Sequence, residues 1–286
     1  MKPPPFRYAV PTTVAEAVGL LVEHADAEPR VLAGGQSLVP LMNFRLAQPG
    51  HLIDLRRVPE LDGIRLDGDT LVIGAMTRQS AVEDSPEVAL VAPLLAEAVG
   101  FVAHRPIRNS GTIGGSIAHA DPAAELPAVA LALDAEIVAV GPDGTRSIPA
   151  AEFFRGPFST ALAPDELLTE VRLPHWRGGH AFVEFARTHG SFAIVAVAAL
   201  VEMADGRVAR ASIAMTGVAP VPIRAAAAER ALEGAVPDAA AAADAAVEGL
   251  TPAGDVHAGS VSRVQLARVH VRRAIERAVS RAQDRR

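Results

Sequence analysis

The chain contains no cysteine in 286 residues. That excludes disulfides, thiolate zinc sites and any iron–sulfur cluster ligated by the chain itself. Lysine is almost absent as well: Lys2 is the only one, so arginine supplies nearly all positive charge. Arginine makes planar, two-pronged contacts with carboxylates and phosphates. Aromatic residues are few, with a single tryptophan, Trp176, and a single tyrosine, Tyr8. No apolar run reaches the roughly 18 residues of a membrane-spanning helix. The opening Met1-Lys2-Pro3-Pro4-Pro5 lacks the apolar stretch of a signal peptide, so the expected location is the cytoplasm. A formal net charge of −6 points away from nucleic acid and anionic membranes as partners.

Familiar chemical motifs are missing too. There is no G-x-G-x-x-G, so no Rossmann fingerprint, and no G-K-[ST], so no P-loop. There is no H-E-x-x-H, and the nine histidines show no tight ligand spacing. His119, beside Asp121, reads as a loop histidine rather than a metal ligand. No G-x-S-x-G marks a nucleophile elbow. No catalytic acid, base or nucleophile and no metal site is expected.

Half of the residues are apolar, enough for a substantial core, and the length suits one large domain or two modest ones. Thr13 and Glu16 have capping-box spacing before an apolar stripe of Val14, Ala17, Val18 and Leu21. Arg30 to Ala33 reads as a short buried strand, and His51 to Leu55 as another. Segments 63–67 and 70–74 flank Gly68-Asp69, a hairpin signal. Glu87 to Val99 reads as a mostly buried helix interrupted by Pro93. Asp121-Pro122 looks like a helix entry. Residues 136–140 and 168–173 read as strands. A boundary is expected near residue 176, dividing the chain into 1–176 and 177–286. Beyond it, 195–203 and 208–215 form a second hairpin about Asp205-Gly206. Helices follow near 223–232, 238–248 and 261–282.

Two glycine-rich turns stand out. The first is Ala33-Gly34-Gly35-Gln36-Ser37-Leu38, directly after a strand. The second is Gly111-Thr112-Ile113-Gly114-Gly115-Ser116. Glycine frees the backbone to adopt positive φ and to approach a ligand closely. Successive N–H groups in such turns can form an anion-binding nest. Two nests suit two linked phosphates and point to a dinucleotide cofactor. Ser37, Thr112 and Ser116 add hydroxyl donors. Arg30 near the first turn, and Arg105 and Arg108 near the second, either balance diphosphate charge or face solvent.

The stretches 30–38 and 111–127 resemble the two FAD signatures of the flavoprotein (medium) subunit of molybdenum hydroxylases. That group includes the carbon monoxide dehydrogenase medium subunit and the flavin domain of xanthine dehydrogenase. The resemblance extends through Pro5-Phe6-Arg7-Tyr8, Pro164 to Leu168, and Phe185-Ala186-Arg187 to Val195. It implies an α+β fold: a vanillyl-alcohol-oxidase-type FAD-binding domain of two α+β subdomains. A small α+β C-terminal domain with a three-stranded antiparallel sheet follows. It further implies that Ala33 to Leu38 wraps the FAD pyrophosphate and that Thr112, Ile113, Gly114, Gly115 and Ser116 form a second cradle. Glu125 matches an acidic position that holds FAD by hydrogen bonding. Val102 and Leu168 match apolar positions beside the isoalloxazine, and Phe192 an aromatic near the flavin. The same three residues also suit plain core.

The resemblance also implies partners: a large subunit with a molybdenum cofactor and a small subunit with two [2Fe–2S] clusters, as a dimer of heterotrimers. The molybdenum cofactor and the clusters belong to those partners, and FAD to this chain. Electrons would pass from the clusters to FAD and on to an external acceptor. Two other readings stay open: a free-standing FAD-dependent oxidoreductase, and a non-catalytic FAD-binding assembly subunit. Two departures from the family matter. Glu184 stands where the family often has a basic residue. The cysteine-rich insertion that holds an extra iron–sulfur cluster in some relatives is lacking.

Overall fold

A computed structural model describes residues 2–284; Met1, Arg285 and Arg286 lie outside the described residues. The first sheet is small and parallel. Its strands β1 (Arg7–Ala9), β2 (Arg30–Leu32) and β3 (His51–Asp54) lie in the order β1-β3-β2. Helix α1 (Val14–Glu23) buries Ala17, Val18 and Leu21 against it. The Thr13 hydroxyl accepts the Glu16 N–H at 3.1 Å, as the spacing predicts. The reciprocal bond is displaced by one residue: the Glu16 carboxylate takes the Thr12 N–H at 2.7 Å. The expected buried strand at 30–33 is an edge strand, so β2 is exposed to half-buried. The first glycine turn leaves its C-terminal end and enters the short helix α2 (Leu38–Asn43).

The second sheet is antiparallel. It contains β4 (Ile64–Asp67), β5 (Thr70–Gly74), β6 (Glu136–Gly141), β7 (Gly144–Pro149) and, after the minor hairpin β8 (Phe154–Gly156) and β9 (Ser159–Thr160), the central β10 (Leu167–Pro174). The order is β4-β5-β10-β6-β7. Between β5 and β6 the chain makes α3 (Gln79–Asp84), α4 (Pro86–Val91), α5 (Pro93–Val99), α6 (Arg105–Arg108), α7 (Ile113–His119) and α8 (Glu125–Ala132), and α9 (Ala150–Phe153) follows β7. The interruption expected at Pro93 is a complete break, and 87–99 is divided between two helices. Pro93 cannot donate to the turn before it, and the chain breaks at Ala92. The helix expected at Asp121 begins four residues later, at Glu125. Asp121 closes a turn instead, its carboxylate accepting the Ala123 N–H at 2.9 Å.

The C-terminal part is an antiparallel sheet of three long strands, β11 (Gly179–Ala186), β12 (Ala193–Ala204) and β13 (Arg207–Thr216), extended by the two-residue β14 (Ile223–Arg224). Asp205 (φ 50°) and Gly206 (φ 77°) make the β12–β13 turn, both in the left-handed region that suits the strand twist. Its two faces bury different partners, as the period of two requires. Ala181, Val183, Val197, Ala199 and Ile213 pack under α10 (Ala226–Leu232), α11 (Ala239–Val247) and α12 (Ser260–Asp284). Phe182, Ala198, Leu200 and Ala214 share one core with Leu94, Leu126 and Ile137 of the preceding part. The helix expected from 223 starts at Ala226, because Ile223 and Arg224 pair with β13. Among the described residues no helix is long and apolar enough to cross a membrane.

Phe182 is fully buried in the shared core and tilts against Phe101 with ring centroids 5.3 Å apart. Phe182→Ala is expected to destabilise the whole chain by about 3–5 kcal/mol. Urea denaturation followed by circular dichroism checks this, and the loss should appear in both halves of the chain together.

Candidate functional site

The two glycine turns, over seventy residues apart in sequence, meet in space. A Cβ placed on Gly34 would overlap the Ser110 carbonyl and lie 2.7 Å from Gly111 Cα. One placed on Gly115 would lie 2.7 Å from Thr112 Oγ1 and 3.3 Å from Ala33 Cβ. Gly114 is set equally close to Ala75, with a virtual Cβ 2.7 Å from its Cα. Glycine is required here because backbone approaches backbone. Gly35 adds a φ of +72° at the bend of the first turn.

The turns differ in hydrogen bonding. Among the described residues, no protein acceptor takes the N–H groups of Gly34, Gly35, Gln36, Ser37 and Leu38. Ser37 caps α2 with its position only, since its side chain makes no capping bond. The first turn is thus a set of unused donors at the carboxyl ends of parallel strands, where open α/β sheets form ligand crevices. The second turn is already satisfied. Ile113 N–H donates to Thr77 O at 3.1 Å, Gly114 N–H to Ala75 O at 2.9 Å, Gly115 N–H to Thr112 Oγ1 at 3.0 Å and Ser116 N–H to Thr112 O at 3.2 Å. This corrects the expectation of two amide nests. The N–H groups of Ile113 and Gly114 tie α7 to the segment that follows β5, those of Gly115 and Ser116 bond Thr112 at the helix start, and Ser116 is half-buried.

A charged clamp holds the second turn. Arg108, 7% exposed, grips Glu83 with Nη2–Oε1 at 2.8 Å and Nε–Oε2 at 2.9 Å. Its Nη1 also donates to the carbonyls of Val102 and Ala103 at 3.0 and 3.3 Å. Arg105 pairs with Glu83 at 2.8 Å and with Asp84. The Arg78 guanidinium donates to Ser110 O, and the Gln79 N–H to Gly111 O at 2.9 Å. Arg105 and Arg108 are therefore bound to carboxylates, not free to balance a diphosphate. Hydrogen bonds from Arg108 hold the Glu83 carboxyl below its ordinary range. Under the first turn, Asp54 is 1% exposed and accepts from Tyr8 Oη at 2.6 Å and from Arg56 N at 2.9 Å and Nε at 2.6 Å. Burial pushes its carboxyl up, but the bonds from Arg56 and Tyr8 outweigh that and keep it low.

The remaining expected residues spread around this centre. Arg30 opens β2 and is exposed, about 10 Å of strand away from the turn. Ile113 and Leu168 are core residues, 2% and 4% exposed. Val102 is half-buried beside the same core. Phe192 is 60% exposed in the β11–β12 loop. That loop lies on the Val102 segment: a Cβ on Gly190 would sit 3.0 Å from Ala103 O, and the His189 and His104 rings lie tilted with centroids 5.8 Å apart. Glu125 is 3% exposed at the start of α8, with no side-chain partner, and burial lifts its carboxyl to about 7. His119 ends α7 against the Phe158 ring, 5.1 Å away. Sequence reading missed Glu83, Arg78 and Gln79. Their contacts reach 25 to 33 residues along the chain, so no local pattern signals them.

Converging glycines and the unused amides of the first turn fit a nucleotide cofactor bound mainly by backbone. The fold and these turns define a flavoprotein oxidoreductase subunit. Residues 4–176 match the FAD binding domain in molybdopterin dehydrogenase, and residues 180–278 match the CO dehydrogenase flavoprotein C-terminal domain. The chain belongs to this family of FAD-binding medium subunits, and its cofactor is FAD. It is 44% identical to the 6-hydroxypseudooxynicotine dehydrogenase complex subunit alpha of Paenarthrobacter nicotinovorans, over 99% of this chain and 97% of that one. It is 40% identical to the carbon monoxide dehydrogenase medium chain of Afipia carboxidovorans, over 99% and 100%. A solved carbon monoxide dehydrogenase from Hydrogenophaga pseudoflava superposes with a TM-score of 0.96 at 42% identity, covering 99% of this chain and 100% of the matched one.

Replacing Arg108 by Ala should cost about 1–3 kcal/mol at neutral pH, because it leaves the Val102 and Ala103 carbonyls without their donor and Glu83 with Arg105 alone. The clamp is fully present above the ordinary carboxylate pKa and is lost as pH falls through Glu83's lowered value. The gap between wild type and Arg108→Ala in urea denaturation should therefore shrink from pH 7 to about pH 3.

Proposed function

We propose that this chain is the electron-transfer subunit of a molybdenum-containing hydroxylase or dehydrogenase complex. It receives electrons from partner [2Fe–2S] clusters and passes them to an external acceptor. A large subunit with the molybdenum cofactor and a small subunit with the two clusters complete the unit, as a dimer of heterotrimers. The names of relatives support this placement: carbon monoxide dehydrogenase medium chain, nicotine 6-hydroxylase medium subunit and a dehydrogenase complex subunit. The family matches over 4–176 and 180–278 support a division of the chain into 1–176 and 177–286.

Bound FAD supplies the ability to exchange electrons singly or in pairs, and the protein supplies binding, orientation and electrostatics. The N–H groups of Gly34 to Leu38 donate to the diphosphate. Gly115 and Ala33 keep the two turns in contact, and Thr112 and Ser116 stand beside the same ligand. Glu125 offers its carboxyl for hydrogen bonding to the cofactor. Val102, Leu168 and Phe192 supply apolar surface toward the ring system, Val102 being fixed through Arg108. The observation that carries the reading is the backbone contact between the two turns. With no cysteine to ligate an iron–sulfur cluster in the chain itself, the clusters of this reading belong to a partner.

The visible spectrum of the chain after incubation with FAD and desalting tests the site. Wild type should retain about one FAD per chain. Gly115→Val, which pushes Thr112 and Ala33 apart, should weaken binding at least about tenfold while circular dichroism stays native. Full flavin content in a folded Gly115→Val protein contradicts the site. The electron path has its own test: reduced small subunit, added without oxygen, should bleach the flavin band. An unbleached band would favour the assembly role.

A further inference from the structure

The wall beside α8 carries a second carboxyl that no motif announces. Glu184 lies on β11 two residues after Phe182, on the face turned toward the preceding part of the chain. Its cross-strand partner is Ala196, and the partner of Ala196 is Thr216. The Thr216 hydroxyl donates to Pro122 O at 2.5 Å, and the Gly217 N–H to the same carbonyl at 3.1 Å. These two bonds clamp the turn at 121–124, and with it the first residue of α8, over the row that holds Glu184. That first residue is Glu125. It is 3% exposed and no other side chain hydrogen-bonds its carboxyl. Glu184 Oε2 is buried with no partner.

The charges that face this pair are all negative. Glu125 acts on Glu184, and Asp121 acts on Glu125. The row neighbours on β12 and β13, Ala196 and Thr216, are uncharged. His119, at the end of α7, faces Asp121. Two carboxylates that share a desolvated site without a cation cannot both ionise cheaply, and one retains a proton.

We propose that Glu125 and Glu184 form an interacting carboxyl pair beside the FAD site, in which Glu184, whose Oε2 is buried without a partner, keeps its proton near neutral pH. The pair then carries one negative charge and one O–H donor. It can donate a hydrogen bond to a cofactor hydroxyl or ring carbonyl, and it repels an anionic cofactor less than two carboxylates would. Burial first, then the Glu125 charge, raises the Glu184 carboxyl to about 8. What the O–H meets rests on the FAD reading above; the retained proton is a property of the chain alone.

The test is the melting temperature of the full chain against pH, for wild type and Glu184→Gln, with visible spectra of the same samples. A carboxyl raised on folding contributes full stability below its unfolded value, and that stability is lost as pH rises through its folded value. Wild type and Glu184→Gln should therefore melt together near pH 5. Wild type should fall several degrees below the variant by pH 9. FAD affinity of wild type should also weaken over pH 7 to 9, and that of Glu184→Gln much less. Parallel melting curves from pH 5 to 9 would overturn the pair. If Glu184→Gln does not fold, infrared spectra of wild type decide: a protonated-carboxyl band present at pH 7 and gone by pH 9.5 supports the pair, and its absence at pH 7 overturns it. Converging curves from protein that retains no FAD would keep the pair and reject the cofactor reading.

Discussion

The structure depends on one steric fact: the backbone at Gly34 rests directly on the backbone at Ser110 and Gly111. Any side chain there would part the parallel sheet's exit turn from the turn that starts α7. A similar closeness recurs at Gly114 against Ala75, while a Cβ on Gly115 would meet the Thr112 hydroxyl at 2.7 Å and Ala33 Cβ at 3.3 Å. These contacts leave no room for side chains at Gly34 and Gly114, so the first turn presents chiefly peptide groups. A surface of that kind binds the feature common to all dinucleotides, the diphosphate, and leaves the redox chemistry to the cofactor.

Around that contact the remaining architecture acts as support. Arg108 and Glu83 fix the Val102 and Ala103 carbonyls from behind, and Arg78 fixes Ser110. The C-terminal sheet is not an appendage. Its Phe182 and Leu200 complete the core that backs α5 and α8, while Thr216 and Gly217 hold the turn that leads into Glu125. Movement of the C-terminal sheet would therefore be felt at the cofactor wall. Charge is handled in two ways. Near solvent, arginines meet carboxylates in pairs; beside α8, Glu125 and the Glu184 Oε2 are buried without a cation partner.

Much of this was legible in the chain. Glycines at 34, 35, 111, 114 and 115 carry their reason in their type, because only glycine tolerates such approach. The strands at 51–54, 70–74 and 136–141 and both hairpins about Gly68 and Gly206 follow from apolar alternation and turn residues. Other features depend on tertiary context. The 87–99 segment reads as a helix interrupted by Pro93, but not as two helices, the first capped by the Ser85 hydroxyl and the second starting at Pro93 without a side-chain cap. Nothing local shows that the amides of 113–116 are consumed by Thr77, Ala75 and Thr112, or that Arg108 reaches Glu83. The strand β7 was not legible, because Gly144–Pro149 is polar and mostly exposed. Glu184 was visible as an oddity, yet its meaning required the row through Ala196 and Thr216.

The central claim is that the first glycine turn supplies the free amides and the second only positions them. Amide hydrogen exchange with and without FAD tests it most directly. The account predicts that FAD slows exchange at Gly34 to Leu38 and leaves Ile113 to Ser116, already hydrogen-bonded within the protein, unchanged. Stoichiometric FAD binding with no change in exchange at Gly34 to Leu38 would contradict it.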